Sequence, residues 1–184
     1  WAIHTFNNAV TPDRISLISL PDHNEIRLLE DNALSKQMYD KMGLNPKEFF
    51  KVDIGEVVLD AWMIKPVGFD PSKKYPVIFY VYGEPAGSTV QDTWGGGDLW
   101  HQYMAQQGYI IISVDNRGTK VPRGSEFRKC IYRQIGILAS ADQGSNILKD
   151  VKRHIYEIEG YRCKTLEEVE RIASNMNINL KDLD

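Results

Sequence analysis

The sequence is poor in cysteine and histidine. Cys130 and Cys163 are the two cysteines, and without a Cys-x-x-Cys pair they exclude a zinc knuckle and a disulfide scaffold. We predict two buried or half-buried thiols, although a bridge between them stays open in an oxidising compartment. The histidines have no metal-ligand spacing, and we expect each to be a surface or helix-face residue: His4, His23, His101 and His154.

Excess charge and long apolar runs are also lacking. The formal net charge is -3, which indicates no basic face and predicts no nucleic-acid partner. No apolar run approaches the roughly 20 residues that a membrane span needs, so we predict no membrane span. Hydrophobic residues make up 42% and charged residues 26% of the 184 positions, which is typical of a globular protein. The chain starts at Trp1, without an initiator Met or a signal peptide, so we expect a piece of something longer.

Several catalytic and cofactor motifs are missing. The chain contains no Gly-x-Ser-x-Gly nucleophile elbow, no P-loop, no His-Glu-x-x-His, no EF-hand loop and no Gly-x-Gly-x-x-Gly. Three glycines at 95–97 do not form a phosphate cradle, because no strand leads into them and no Lys-Ser/Thr follows. We therefore predict no cofactor and no metal site.

The first third of the chain is typical of short strands. Residues 2–6, 14–20 and 25–29 are rich in strand-forming types, and turn residues occur at 11–13 and 21–24. Three such strands form a meander that cannot close a sandwich or barrel alone. A helix is predicted at 32–42, and a hairpin at 49–54 and 57–65 turns at Gly55-Glu56. The alternation at Val57, Leu59, Ala61 and Met63 predicts a half-buried second strand.

The middle of the chain has the pattern of a βαβ unit. Residues 77–82 and 109–114 are uninterrupted apolar runs, typical of strands covered on both faces. Between them, residues 98–107 predict a helix in which Leu99 and Tyr103 are four apart and Gly108 is the stop. We expect parallel strands joined by a right-handed crossover. After residue 144 the pattern is that of a helical tail, with an apolar stripe over 147–158 and a capping box at 165–168.

Candidate site residues follow the two predicted parallel strands, where open sheets place ligands. Tyr82 ends the first strand, and its phenol could stabilise an oxyanion or could simply pack. Asp115 follows the second strand, where an acid could work. Arg117 could clamp a carboxylate, but we favour the interpretation that it braces its loop through backbone carbonyls and an acidic partner.

Four segments in combination resemble a known family. They are the 27–32 segment Arg-Leu-Leu-Glu-Asp-Asn, the 73–85 segment ending in Tyr-Gly-Glu-Pro, the 114–119 segment Val-Asp-Asn-Arg-Gly-Thr, and 122–143. Together with the meander and hairpin, they resemble the dipeptidyl peptidase IV branch of the prolyl oligopeptidase serine peptidases, over residues 1–143. This implies an α/β fold: 1–32 end a β-propeller blade, 33–143 form the first half of an α/β-hydrolase domain, and 144–184 are a helical tail of unknown origin.

The resemblance also implies a function. The family's oxyanion-hole tyrosine matches Tyr82, and the Asp-x-Arg-Gly turn at 115–118 is mainly structural there. The parent would be an exported or periplasmic exopeptidase, a homodimer being possible, that releases di- or tripeptides after proline from peptide substrates. Glu84 departs from the family's glycine, and a carboxylate there would disfavour an oxyanion. Because the Ser-Asp-His triad is absent, we expect these 184 residues to be inactive alone. Two alternatives stay open: a non-catalytic interaction module, or a parent that is an acylaminoacyl peptidase or esterase.

Overall fold

Two separate β-sheets organise the chain. In this computed structural model, the structure describes residues 1–95 and 98–146. The first sheet is antiparallel, in the order β1 (Ala2–Asn8), β2 (Thr11–Ile18), β3 (Glu25–Glu30). The second sheet has the order β4-β5-β7-β6, with β4 (Glu48–Asp53), β5 (Val58–Ile64), β6 (Val77–Phe79) and β7 (Ile110–Asp115). The helices are α1 (Ala33–Lys41), α2 (Asp98–Gln106), α3 (Gly124–Lys129) and α4 (Ile137–Ala141), followed by an irregular turn at Asp142–Asn146. The predicted mixed α/β class is correct.

The first sheet confirms the three predicted strands and corrects one predicted turn. The predicted turn at 11–13 was wrong, because β2 already begins at Thr11, which pairs with Asn8. Pro12 is compatible with this strand because the pairing with β3 reaches only to Ile15, so Pro12 lies where β2 has one neighbour. The second predicted turn is present, and there His23 N–H donates to the carbonyl of Ser19 at 3.1 Å.

The predicted hairpin is confirmed, but its second strand is more buried than expected. The hairpin closes with Asp53 opposite Val58, and Gly55 adopts a positive φ of 88° at the turn. The prediction of a half-buried β5 was wrong, since Trp62 and Ile64 on its other face are also buried. The helix α2 covers that face, since Ala105 of α2 belongs to one apolar cluster with Trp62 and Ile64. A strand covered on both faces needs no alternation of polar and apolar residues.

The predicted βαβ unit is present, and its two strands are parallel. Val77 of β6 pairs with Ile110 of β7, and β7 lies between β6 and β5. All six residues of β7 are buried. The strand β6 is shorter and more exposed than predicted: it ends at Phe79, and Val81 is 51% exposed. Within the described residues β6 has a single neighbouring strand, so its other edge is not paired with a strand there.

The predicted helix α2 is confirmed, and its buried face is not the one that carries Leu99 and Tyr103. Leu99 and Tyr103 are exposed. The buried face instead carries His101, Gln102 and Ala105. Gln102 donates from Nε2 to the carbonyl of Asn45 at 2.7 Å, which ties α2 to the segment before β4. His101 is therefore on a helix face, as predicted, but this face is covered.

Other predictions meet the structure only in part. Cys130 is half-buried, and its thiol donates to the carbonyl of Phe127 at 3.0 Å. Residues 147–184, with Cys163, His154 and the predicted tail helices, lie outside the described residues. In 1–95 and 98–146 no helix combines the length and apolar character of a bilayer span.

Candidate functional site

Tyr82 lies in the loop that leaves the second sheet after β6. The last bond to the sheet comes from Tyr80, whose N–H donates to the carbonyl of Ile112 at 2.8 Å. Gly83 then adopts a φ of 76°, which turns the chain sharply away. The Tyr82 ring lies against Gly87, since a methyl group added there would be 3.3 Å from Tyr82 Cε1. The tyrosine is 46% exposed, so its face is accessible to solvent.

Tyr82 lines an open cleft of about 410 Å³ beside the carboxyl end of β6. The cleft is rich in aromatic side chains, including Trp62, Tyr80, Trp94 and His101. The His101 ring packs against Trp62 and Tyr80, with centroid distances of 5.3 Å and 4.8 Å. The rest of the lining is mostly polar and includes Lys47, Ser88, Thr89, Gln91 and Thr93. The cleft therefore offers a small ligand or peptide both apolar surface and hydrogen-bonding groups.

Asp115 lies under the loop that bears Tyr82. It is 3% exposed. One carboxylate oxygen, Oδ1, accepts from Thr89 N at 2.8 Å and Thr89 Oγ1 at 3.0 Å. The other, Oδ2, accepts from Ser88 Oγ at 2.5 Å and Val90 N at 3.3 Å. Both oxygens of Asp115 thus face donors of the protein, which agrees with the mainly structural role that the resemblance implies for this turn.

Ser113 extends this buried network to the start of the loop. Its hydroxyl lies 2.6 Å from Thr89 Oγ1, and it donates to the carbonyl of Tyr80 at 2.6 Å. Trp62 adds a further bond, from Nε1 to the carbonyl of Thr89 at 2.8 Å. The loop is therefore held where it leaves the sheet, at Tyr80, and again at Thr89.

Arg117 braces the turn after β7 through acidic partners, as expected, but its described guanidinium bonds go to two carboxylates and not to the expected backbone carbonyls. Its backbone N–H and guanidinium donate to the Asp142 carboxylate at 2.8–3.1 Å. Its Nη1 also donates to Glu56 Oε2 at 2.8 Å. The hydrogen bonds with Asp142, supported by Glu56 and opposed by burial, raise the pKa of Arg117 above its ordinary value. Since both partners are acidic groups of the protein, Arg117 holds three segments together rather than pointing into the cleft.

The structure brings together some of the sequence-predicted residues and adds others. Tyr82 and Asp115 belong to one loop assembly, whereas Arg117 is occupied at the turn beyond it. Sequence reasoning missed Thr89 and Ser113. The available signal was positional: both strands of a βαβ unit end at the same sheet edge, so polar residues that follow them should meet. Among the described residues, no three His, Cys, Asp or Glu side chains come together as metal ligands.

Comparisons with known proteins relate most of the chain to one group of peptidases. No protein-family model matches it. Human prolyl endopeptidase FAP is 33% identical over 129 residues, which is 70% of this chain and 17% of the relative. A probable dipeptidyl peptidase 4 of Emericella nidulans is 36% identical over 132 residues, or 69% of this chain and 17% of the relative. The chain thus spans about a sixth of the length of these curated relatives.

Solved structures agree with the sequence relatives. Dipeptidyl peptidase 4 of Porphyromonas gingivalis matches with a TM-score of 0.74 and 35% identity, covering 84% of this chain and 22% of that one. An acylaminoacyl peptidase of Pyrococcus horikoshii matches with a TM-score of 0.63 and 25% identity, covering 83% of this chain and 22% of that one. Over its matched part, the chain belongs to the dipeptidyl peptidase IV branch of the prolyl oligopeptidase family.

Proposed function

We propose that this chain represents part of a serine exopeptidase that releases di- or tripeptides after proline, and that Tyr82 belongs to its oxyanion hole. The observation that carries the proposal is the position of Tyr82, accessible at the wall of an aromatic cleft beside the end of β6. Open sheets with parallel strands bind ligands at this edge. The relatives named dipeptidyl peptidase 4 support the substrate class.

The domain division is part of the same proposal. Residues 1–32 would end a β-propeller blade, 33–143 would form the first half of an α/β-hydrolase domain, and 144–184 would be a separate helical tail. Two observations support the first boundary: β1–β3 form a sheet of their own, and α1 separates them from the four-stranded sheet. The exposed edge of β6 is compatible with a further strand of a longer enzyme.

The chemistry assigned to Tyr82 is electrostatic. When a nucleophile attacks a peptide carbonyl, its oxygen becomes negatively charged, and a phenol O–H held at that position stabilises the charge. One such donor contributes about 10²–10³-fold to kcat. The attack itself needs a serine and a histidine base that the 184 residues do not present in a recognisable elbow. We therefore expect the isolated chain to lack peptidase activity.

A direct assay tests that expectation. The purified chain is incubated with a Gly-Pro chromogenic substrate, alongside an active dipeptidyl peptidase 4 as the positive control. No release of chromophore is the expected result. Turnover by the chain that a serine-directed inhibitor abolishes would contradict it.

The role of Tyr82 requires an enzyme that is active. A chimera replaces the matching segment of the Porphyromonas dipeptidyl peptidase 4 with residues 1–143, and the Tyr82→Phe variant is compared with Tyr103→Phe. Both tyrosines are exposed, at 46% and 57%, but Tyr103 lies on α2. We expect Tyr82→Phe to lower kcat by about 10²-fold with little change in KM. Equal kcat values for the two variants would overturn the assignment.

Glu84 offers an independent check in the same chimera. It lies two residues after Tyr82 and is exposed. A carboxylate near a developing oxyanion opposes the negative charge, so Glu84→Gly is expected to raise kcat and Glu84→Asp to leave it low. If Glu84→Gly changes nothing, this carboxylate lies too far from the oxyanion to act on it.

An acylaminoacyl peptidase is the second candidate, favoured by the match to the Pyrococcus structure. Its lower identity, 25% against 35% for the Porphyromonas enzyme, makes it the weaker candidate. Placing residues 1–143 in the Pyrococcus scaffold, with an N-acetylated peptide as substrate, gives the comparison. Greater retention of activity in that scaffold than in the dipeptidyl peptidase would favour this second function.

A further inference from the structure

The loop that carries Tyr82 is fixed at both its ends by one buried polar network. At its start, the carbonyl of Tyr80 accepts from Ser113 Oγ at 2.6 Å. At its far end, Thr89 donates to Asp115 through its backbone and its hydroxyl, at 2.8 Å and 3.0 Å. Because Ser113 gives its one hydroxyl proton to Tyr80, the one hydroxyl proton of Thr89 is shared between Asp115 Oδ1 and Ser113 Oγ, which lies 2.6 Å from Thr89 Oγ1. This three-centre bond joins the two ends of the loop.

The centre of the network is shielded from water. Ser113 is 1% exposed and Asp115 is 3% exposed. Hydrogen bonds to an ionised group are stronger than neutral ones, and in a dry environment a group that loses its partner is costly. The four donors on the two oxygens of Asp115 therefore hold the segment 88–90 in one conformation.

The anchored segment is adjacent to the residue that contacts Tyr82. Gly87 directly precedes the anchored residues, and it lies so close to the Tyr82 ring that an added methyl group would be 3.3 Å from Cε1. A shift of the chain at Ser88 would therefore move Gly87 and release one side of the ring. The carbonyl of Gly87 also accepts from the Lys120 N–H, at the longer distance of 3.4 Å.

We propose that Asp115, acting through Thr89 and Ser113, is a positioning residue that fixes the ring of Tyr82 against Gly87. The relevance of this inference to catalysis rests on the proposed function of Tyr82. The inference itself concerns only the position of the Tyr82 ring. This position can be measured without any enzyme activity.

The experiment is an NMR measurement on the full 184-residue chain with isotope-labelled tyrosine and glycine. The Tyr82→Phe spectrum identifies the Tyr82 ring signals by their loss, and the observable is the nuclear Overhauser contact between that ring and the Gly87 α-protons. Thr89→Val removes the hydroxyl at almost constant volume, and we expect the contact to be lost. Thr89→Ser keeps the hydroxyl, and we expect the contact to be retained.

Ser16 provides the control. It is a buried serine of β2 whose hydroxyl donates to Glu25 Oε2 at 2.7 Å, in the first sheet. Ser16→Ala thus removes a buried hydroxyl bond away from the Tyr82 loop, and the contact should persist. Asp115→Asn, which places a donor where Ser88 or Thr89 also donates, should abolish the contact, as Thr89→Val does.

Three results would overturn the proposal: the contact survives in Asp115→Asn, it survives in Thr89→Val, or Ser16→Ala abolishes it as well, which would indicate general loosening. If Asp115→Asn fails to fold, the comparison of Thr89→Val with Thr89→Ser still tests the proposal. The outcome is separate from that of the proposed function, because the chimera's kcat can fail to respond to Tyr82→Phe while the ring contact still depends on Thr89.

Discussion

Removing the Asp142 carboxylate breaks an ion pair in which one partner is almost fully buried. The Asp142 side chain is 1% exposed, and Arg117, its partner, is 19% exposed. In Asp142→Asn the volume stays the same, but the guanidinium loses the charge that it faces. Arg117 then keeps only Glu56, whose side chain is 76% exposed and well hydrated.

The size of the effect follows from the burial of the two partners. Breaking a buried pair by removing one partner costs about 3–5 kcal/mol. Because Arg117 retains Glu56 and some access to water, we place Asp142→Asn at the lower end, about 3 kcal/mol. An exposed ion pair contributes less than about 1 kcal/mol to the free energy of unfolding. Glu56→Gln is therefore the matched control, because Glu56 is the exposed partner of the same Arg117 guanidinium.

Urea denaturation followed by tryptophan fluorescence measures both variants. With a slope of about 2 kcal/mol per molar urea, a loss of about 3 kcal/mol lowers the midpoint by about 1.5 M. The control should move it by less than about 0.5 M. Equal midpoint shifts for Asp142→Asn and Glu56→Gln would refute the reasoning, because burial would then not distinguish the two carboxylates.

Two further predictions concern backbone strain and acid. Gly118 and Gly124 both have a positive φ, of 90° and 86°, but an added methyl group would lie 2.7 Å from Ile131 at Gly118 and in open space at Gly124. Gly124→Ala should therefore lower the free energy of unfolding by about 1–2 kcal/mol, through backbone strain alone. Gly118→Ala should lower it by about 1–3 kcal/mol more, because of the added clash, and urea denaturation measures both. The side-chain hydrogen bond from Arg14 lowers the pKa of Glu25 below 4.5, so the stability advantage of the wild type over Glu25→Gln should be full above pH 4.5 and vanish as the pH falls through the lowered pKa. An advantage that persists in strong acid would contradict this assignment.

The elements of the fold were predictable where local sequence decides them. The hairpin turn at Gly55 and the end of α2 at Gly108 were both correct, because each needs a positive φ that glycine adopts at little cost. Burial was less predictable. The sequence of β6 is as apolar as that of β7, yet of these two strands only β7 is buried along its whole length. Hydrophobic character shows that a strand prefers cover, whereas the neighbouring strands determine whether it receives any.

The location of the candidate site was predictable, but its hydrogen-bond network was not. Tyr82 and Asp115 were identified because they follow adjacent parallel strands. Asp115 was open to both a chemical and a structural interpretation, since a sequence does not show which donors will surround a carboxylate. Its partners, Thr89 and Ser113, come from a loop and from the interior of a strand, and neither has a recognisable motif. Their roles depend on contacts across 24 to 26 residues of sequence.

The central position of β7 has a consequence for the order in which the chain can fold during synthesis. The hairpin β4–β5 and the strand β6 pair with β7 and not with each other. During synthesis, β6 is therefore made well before β7, which is the one described strand that pairs with it. At roughly 5–20 residues per second, this interval lasts on the order of seconds. During that time the unpaired backbone edge of β6 can pair with other chains.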